Sequence, residues 1–256
     1  MIARALLSAA ITAGLLNTMF HLLFHRAPLY LEPGALPGKV SVERVRLAQW
    51  AVALTAFGSA LAFVSSTVPA LWAVLTLGCV WQLRRWEVAT WPGDTVVRLG
   101  KYAPASAALL GFVVAHTAAG TLGASASEQE AFGWDAAAGV FGGAYVLAAV
   151  AKVQLSGWGW GRAEHMSLML AERGFGRFGA LRLRLAQSRA ACAVVGWVGM
   201  GMEWAGPLLA WPATRPHLAA AILVFKGFTW VLFGYSEPEW SLTILAIGAA
   251  AWLGAG

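Results

Sequence analysis

What most constrains this chain is a succession of apolar runs, each near the length of a bilayer crossing, with charge confined to the stretches between them. A spanning helix needs ~20 mostly apolar residues at a rise of about 1.5 Å each. Such runs occupy Ala5–Phe24, Leu47–Val64, Ala70–Leu83, Ala103–Ala124, Trp134–Gln154, Ala190–Trp211 and His217–Tyr235. A weaker eighth occupies Ser241–Ala255. The first run continues to Phe24 without a convincing cleavage site and is expected to be a spanning helix rather than a leader. The pattern predicts an all-α polytopic membrane bundle with seven or eight transmembrane helices, built as one domain over residues 1–256.

Odd-numbered connections between the runs are basic and even-numbered ones are not. The first connection holds Arg26, Lys39, Arg44 and Arg46, and the third holds Arg84, Arg85, Arg98 and Lys101. The fifth holds Arg162, Arg173, Arg177, Arg182, Arg184 and Arg189. The second is uncharged, the fourth carries Glu128 and Glu130 with no base, and the sixth has only Arg215. Basic connections stay on the cytoplasmic side, so the odd ones are expected inside and the N-terminus outside. A cell-membrane, multi-pass location follows. In the fifth stretch, 156–189, apolar residues alternate with arginines and glycines. Either two amphipathic helices in the headgroup layer or an ordinary basic loop fits that pattern.

Composition agrees. Of the 256 residues 59% are hydrophobic and 12% are charged, about half the charged share of a soluble domain. Fourteen tryptophans suit a chain with many rings at membrane interfaces. A net charge of +6 would suggest a nucleic-acid partner in a soluble protein. Here it serves topology and contact with anionic headgroups, so membrane lipids are the expected partner and nucleic acid is not. Cys79 and Cys192 sit in apolar runs outside any metal-spaced group and read as small hydrophobes. GWGWG and GFGRFG are glycine-rich but lie in interfacial sequence, where close packing or turns explain them better than a phosphate cradle.

Ionisable groups at membrane depth are costly and usually face a partner or a cavity. Glu203 lies eight residues before Trp211, ~12 Å below the outer boundary. Lys226 lies nine residues after His217, ~14 Å below it, and His116 lies eight before Ala124, ~12 Å below. Three ionisable groups thus share one layer. Glu203 and Lys226, on helices adjacent in sequence, are expected to pair. The pair reads either as a salt bridge fixing register or as a proton-handling or ligand-anchoring device. His21 and His25 are four apart, a spacing that can bind a metal, but no accompanying glutamate motif supports one. Interfacial anchoring is expected instead, and no metal site is assigned. Lys152, two residues from the end of its run, is expected to snorkel to the cytoplasmic face.

Three stretches resemble one family. WPGDTVVRLGKYAP from Trp91, YVLAAVAKVQLSGWGWG from Tyr145 and FKGFTWVLFGYSEPEW from Phe225 are similar to segments of horizontally transferred transmembrane (HTTM) domain proteins. The likeness covers about residues 81–256. That family includes the vitamin K-dependent gamma-glutamyl carboxylases and the sporulation-delaying protein B group. The departures are Ala149 or Val150 where a glycine is usual, the single Lys152 where the carboxylases have a pair, and Lys226 in place of a later histidine. The carboxylases' large soluble substrate domain also has no counterpart among these residues. The resemblance implies a quinone- or lipid-using protein that modifies or matures a peptide. Lys152 would be the base, and Glu203, Lys226 and His116 would line the cavity. A quinone headgroup near Lys152 would meet Trp158, Trp160, His21 and His25. The competing expectation is a non-catalytic membrane subunit that binds lipid or quinone or scaffolds partner subunits.

Overall fold

The computed structural model describes residues 1–24, 42–88, 103–172, 178–233 and 238–253. His25 and the side chain of His21 lie outside the described residues, as do Arg26, Lys39, Arg98, Lys101, Arg173 and Arg177. Among the described residues every regular element is a helix and there is no strand. The helices are α1 (Ile2–Phe24), α2 (Val42–Ser65), α3 (Pro69–Val88), α4 (Ala103–Thr121), α5 (Ala126–Ser156), α6 (Ala163–Glu172), α7 (Gly179–Gln187), α8 (Arg189–Trp204), α9 (Arg215–Phe233) and α10 (Pro238–Trp252). Short 3-10 turns at Gly157–Gly161 and Gly206–Ala210 follow α5 and α8. Among the described residues, three stretches are long and apolar enough to cross a membrane: Glu43–Ser65, Pro104–Thr121 and Ala126–Leu155.

Local chemistry moves several boundaries away from the apolar runs. α5 begins at Ala126 because Ser125 and Glu128 form a capping box. The Ser125 backbone N–H donates to Glu128 Oε2 at 2.7 Å, and the Glu128 N–H donates to Ser125 Oγ at 3.4 Å. Glu128 and Glu130 are therefore helical residues rather than loop charges. Before them, Gly123 takes a left-handed φ of 82°. The Ala124 N–H reaches back to the Ala119 carbonyl at 3.0 Å, closing α4 with a glycine-dependent stop. The run Ala190–Trp211 is not one helix. α8 ends at Trp204, since Pro207 has no N–H to continue the ladder and its ring would meet the preceding turn. In the stretch 156–189 the two short helices α6 and α7 form.

The chain divides into two compact units, Met1–Ala137 with Pro238–Gly256, and Ala138–Glu237, with the boundary inside α5. In the first, α1 packs against α2, α4 and α10, while α3 packs on α2 and α4. Small residues line the contacts, with Ala53, Ala56, Ala60 and Ala10 buried beside Leu7, Leu15 and Phe63. Hydroxyls tie the helices across these contacts. Ser8 Oγ donates to the Ala60 carbonyl at 2.6 Å, and the Ser59 and Thr76 hydroxyls meet at 2.8 Å. Close backbone approach with interhelical hydroxyl bonds is how apolar helices associate where hydrophobic burial adds little.

In the second unit, α6 packs on α7 and α8 around Ala163, Met166, Leu170, Cys192 and Val195. The arginine of the sixth connection is no loop charge: buried Arg215 donates from Nε to the Leu209 carbonyl at 2.8 Å and from Nη2 to the Ala210 carbonyl at 3.2 Å. It thereby satisfies carbonyls at the end of the 3-10 turn. Arg182 is also buried, at 6% exposure, and its Nε and Nη1 find no hydrogen-bond partner. Two glycine pairs bring backbones together. A Cβ on Gly142 would strike the Gly206 carbonyl, and one on Gly196 would come within 2.7 Å of the Gly161 oxygen.

Two stability predictions follow from this packing, both read as melting midpoints in detergent. Gly206→Ala should destabilise by about 1–3 kcal/mol through overpacking, whereas Gly143→Ala, with nothing within 4 Å of the new Cβ, should leave the midpoint unchanged or raised. Arg182→Met should raise the midpoint, because it removes a buried guanidinium whose Nε and Nη1 are unsatisfied.

Candidate functional site

The second unit builds its ionic centre where α5 ends. Gly157 takes a left-handed φ of 59°, which turns the chain out of α5 and into the tryptophan-bearing 3-10 turn. α5 runs antiparallel to the end of α8 and the turn that follows it: Gly139 lies beside Ala210, Gly142 beside Gly206, and Lys152 beside Glu203. Lys152 Nζ donates to Glu203 Oε1 in an ion pair with side chains 27% and 16% exposed. The same ammonium stands 4.4 Å from the centroid of the Trp160 ring. A cation over an indole face is attracted by the ring quadrupole, more strongly as water is excluded. Trp160 is held in turn by packing on the α6–α8 cluster and by a ring contact with His165 at 5.3 Å. Trp158 stacks on Trp204 at 6.1 Å, next to Glu203 in sequence.

One atom of this centre is left over. Glu203 Oε2 is buried and has no hydrogen-bond partner. A buried carboxylate oxygen without a donor is costly. A hydroxyl or N–H reaching that oxygen would supply the missing bond. Chemically the centre offers an ammonium donor, a free carboxylate acceptor and indole faces within a few ångströms.

The partner of Glu203 differs from the one that depth matching gives. Counting from Trp211 assumes a continuous helix and places Glu203 far below the outer boundary, opposite Lys226. α8 in fact stops one residue after Glu203, and the antiparallel packing brings the carboxylate to Lys152. Lys152 likewise does not simply extend to water, since Glu203 and Trp160 engage it inside the unit. Lys226 lies midway along α9 and is partly buried. Its neighbour Phe225 packs against Gly199.

His116 belongs to the other unit. It stacks on Phe112 at 5.3 Å and lines a cavity of about 490 Å³ with Thr67, Thr117, Thr121 and Gln129. Beside it is an ionic centre that sequence reading misses. Arg4 forms a two-point ion pair with Glu130, its Nε donating to Oε1 at 2.9 Å. Trp134 Nε1 donates to the same oxygen at 3.0 Å, and Arg4 Nη1 donates to the Ser66 carbonyl at 3.1 Å. The guanidinium lies 5.7 Å from the Phe63 ring and 6.0 Å from the Phe112 ring. The available signal was the topology itself. The N-terminus, the second connection and the fourth connection are expected on one side, so Arg4, Ser66 and Glu130 share an end.

No family model, described protein or solved structure matches the chain. The site therefore stands on its own geometry.

A double-mutant cycle on Lys152→Met and Glu203→Gln measures the pair. Each single variant should lower the melting midpoint, and the cycle should return a coupling of about 1–3 kcal/mol. Coupling near zero would mean that the two side chains do not pair.

Proposed function

We propose that this chain is a multi-pass protein of the cell membrane, with seven or eight spans and with α6 and α7 in the headgroup layer. Within it, the Lys152–Glu203 centre binds the oxygenated ring of a quinone or a comparable lipid headgroup. The observation that carries this reading is the pairing of Lys152 with Glu203 over Trp160 while Glu203 Oε2 stays buried without a donor. Lys152 has N–H groups to give to a ring oxygen, Glu203 accepts a ring hydroxyl, and Trp158 and Trp160 supply indole surface beside them. The donor set fits such a ring.

A quinone, when bound, supplies a redox-active ring whose reduced form carries acidic hydroxyls. There the Lys152 ammonium first passes a proton to Glu203, and the neutral amine then accepts one from a ring hydroxyl while Glu203 keeps it oriented, with Lys226 on α9 as a further cation of the same unit. The resemblance to HTTM proteins extends this reading to modification or maturation of a peptide. A second reading, a non-catalytic subunit that binds lipid or partner subunits, is favoured by one observation. The Lys152 ammonium already has a carboxylate and a ring inside the unit, so it also works as a brace joining α5, the 3-10 turn and α8.

Organic extraction of protein purified in mild detergent separates the two readings. The wild type should carry a quinone at near one per chain, and Glu203→Gln should lose most of it without a change in yield. In cells, Lys152→Ala should abolish function while expression persists. A brace alone predicts that Lys152→Met with Glu203→Leu retains function, and that result would end the catalytic reading.

A further inference from the structure

The second unit carries an open pocket of about 730 Å³, lined by Arg162, Glu164, Arg189, Ala190, Ala193 and Trp197. We propose that it holds the phosphate of an anionic phospholipid between Arg162 and Arg189, with the lipid's apolar portion lying along α8. This inference rests on the membrane location proposed above.

The two arginines reach the pocket from different elements. Arg162 follows the 3-10 turn and is fixed by its N–H to the Gly159 carbonyl at 3.0 Å, one residue after the close approach of Gly161 to Gly196. Arg189 opens α8, whose first turn is capped by Ser188 Oγ accepting from the Ala191 N–H at 3.3 Å. Both guanidinium groups are thus carried on tightly placed backbone. Against these two cations the pocket has one carboxylate, Glu164, which takes Arg189 Nη2 at 2.6 Å. That bridge is open to water, with side chains 85% and 64% exposed, and exposed bridges of this kind hold weakly. No carboxylate pairs with Arg162 among the described residues. The pocket keeps an excess of positive charge, and guanidinium forks match phosphate oxygens two at a time.

The apolar side of the pocket decides the kind of phosphate. Ala190, Ala193 and Trp197 form its wall, and the same face of α8 continues outward through Val194 and Val198, both exposed. These residues recur at three- and four-residue spacing, so they make one stripe leading away from the arginines. A small soluble anion would use the arginines and leave the stripe bare. A phospholipid uses both.

Native mass spectrometry of the detergent-purified full chain, with added short-chain phosphatidylglycerol, tests this. Wild type should retain phosphatidylglycerol in preference to phosphatidylcholine. Arg162→Ala should weaken retention at least about tenfold, as expected for loss of charged phosphate bonds, with an unchanged melting midpoint. Arg162→Lys should weaken it less. Glu164→Gln should strengthen retention, because it removes the internal competitor for Arg189; a purely structural pocket would not give that gain. Retention unchanged in Arg162→Ala with Arg189→Ala would overturn the site. Competition by glycerol phosphate at equal concentration would overturn the lipid assignment in favour of a soluble phosphate. Recovery of the chain in the soluble fraction without detergent would defeat the membrane location itself, independently of either binding result.

Discussion

The second unit depends on how a charge at the end of an apolar helix is accommodated. Lys152 stands near the end of a long apolar helix with its side chain mostly buried, and an isolated ammonium there would be disfavoured. The chain answers with Glu203 from α8 and the face of Trp160 from the turn between them. Each feature around the pair serves that meeting. Gly157 turns the backbone so that Trp160 comes under the lysine. The Gly142–Gly206 approach sets the spacing of the two antiparallel segments, and Pro207 ends α8 so that Glu203 lies at the helix end.

The first unit solves a similar problem with the same parts. Arg4 and Glu130 are separated by 126 residues in sequence, yet they form an ion pair flanked by Phe63, Phe112 and Trp134. The difference lies in satisfaction. Glu130 accepts from Arg4 and from Trp134, so neither of its oxygens is left over. Glu203 keeps one buried oxygen without a donor. A carboxylate with all its bonds made is a structural tie, and one with a vacant acceptor has capacity for a ligand. That contrast is the reason for placing the ligand site in the second unit.

Helical class was legible because apolar runs of spanning length admit little else. The ends of the helices were less so, since they are decided by a few polar or special residues. The Ser125–Glu128 capping box lies openly in the sequence, but charge counting assigns Glu128 and Glu130 to a loop and so hides the partner of Arg4. Depth counting fails at Glu203 for a related reason. It treats Ala190–Trp211 as one rod, and the break at Gly206–Pro207 cancels that premise. Trp160 stands out in the sequence as part of GWGWG. Its position under Lys152 needed the left-handed turn at Gly157, which no pattern of hydropathy specifies.

The pairing of Lys152 with Glu203 is tested most directly by a hydrophobic carbodiimide, which joins an amine to a contacting carboxylate with no added atoms. Treatment of the chain in native membranes, followed by peptide mass spectrometry, should yield an amide between Lys152 and Glu203 that disappears in Glu203→Gln. An amide between Lys226 and Glu203 in its place would contradict the arrangement and restore the pairing of adjacent helices.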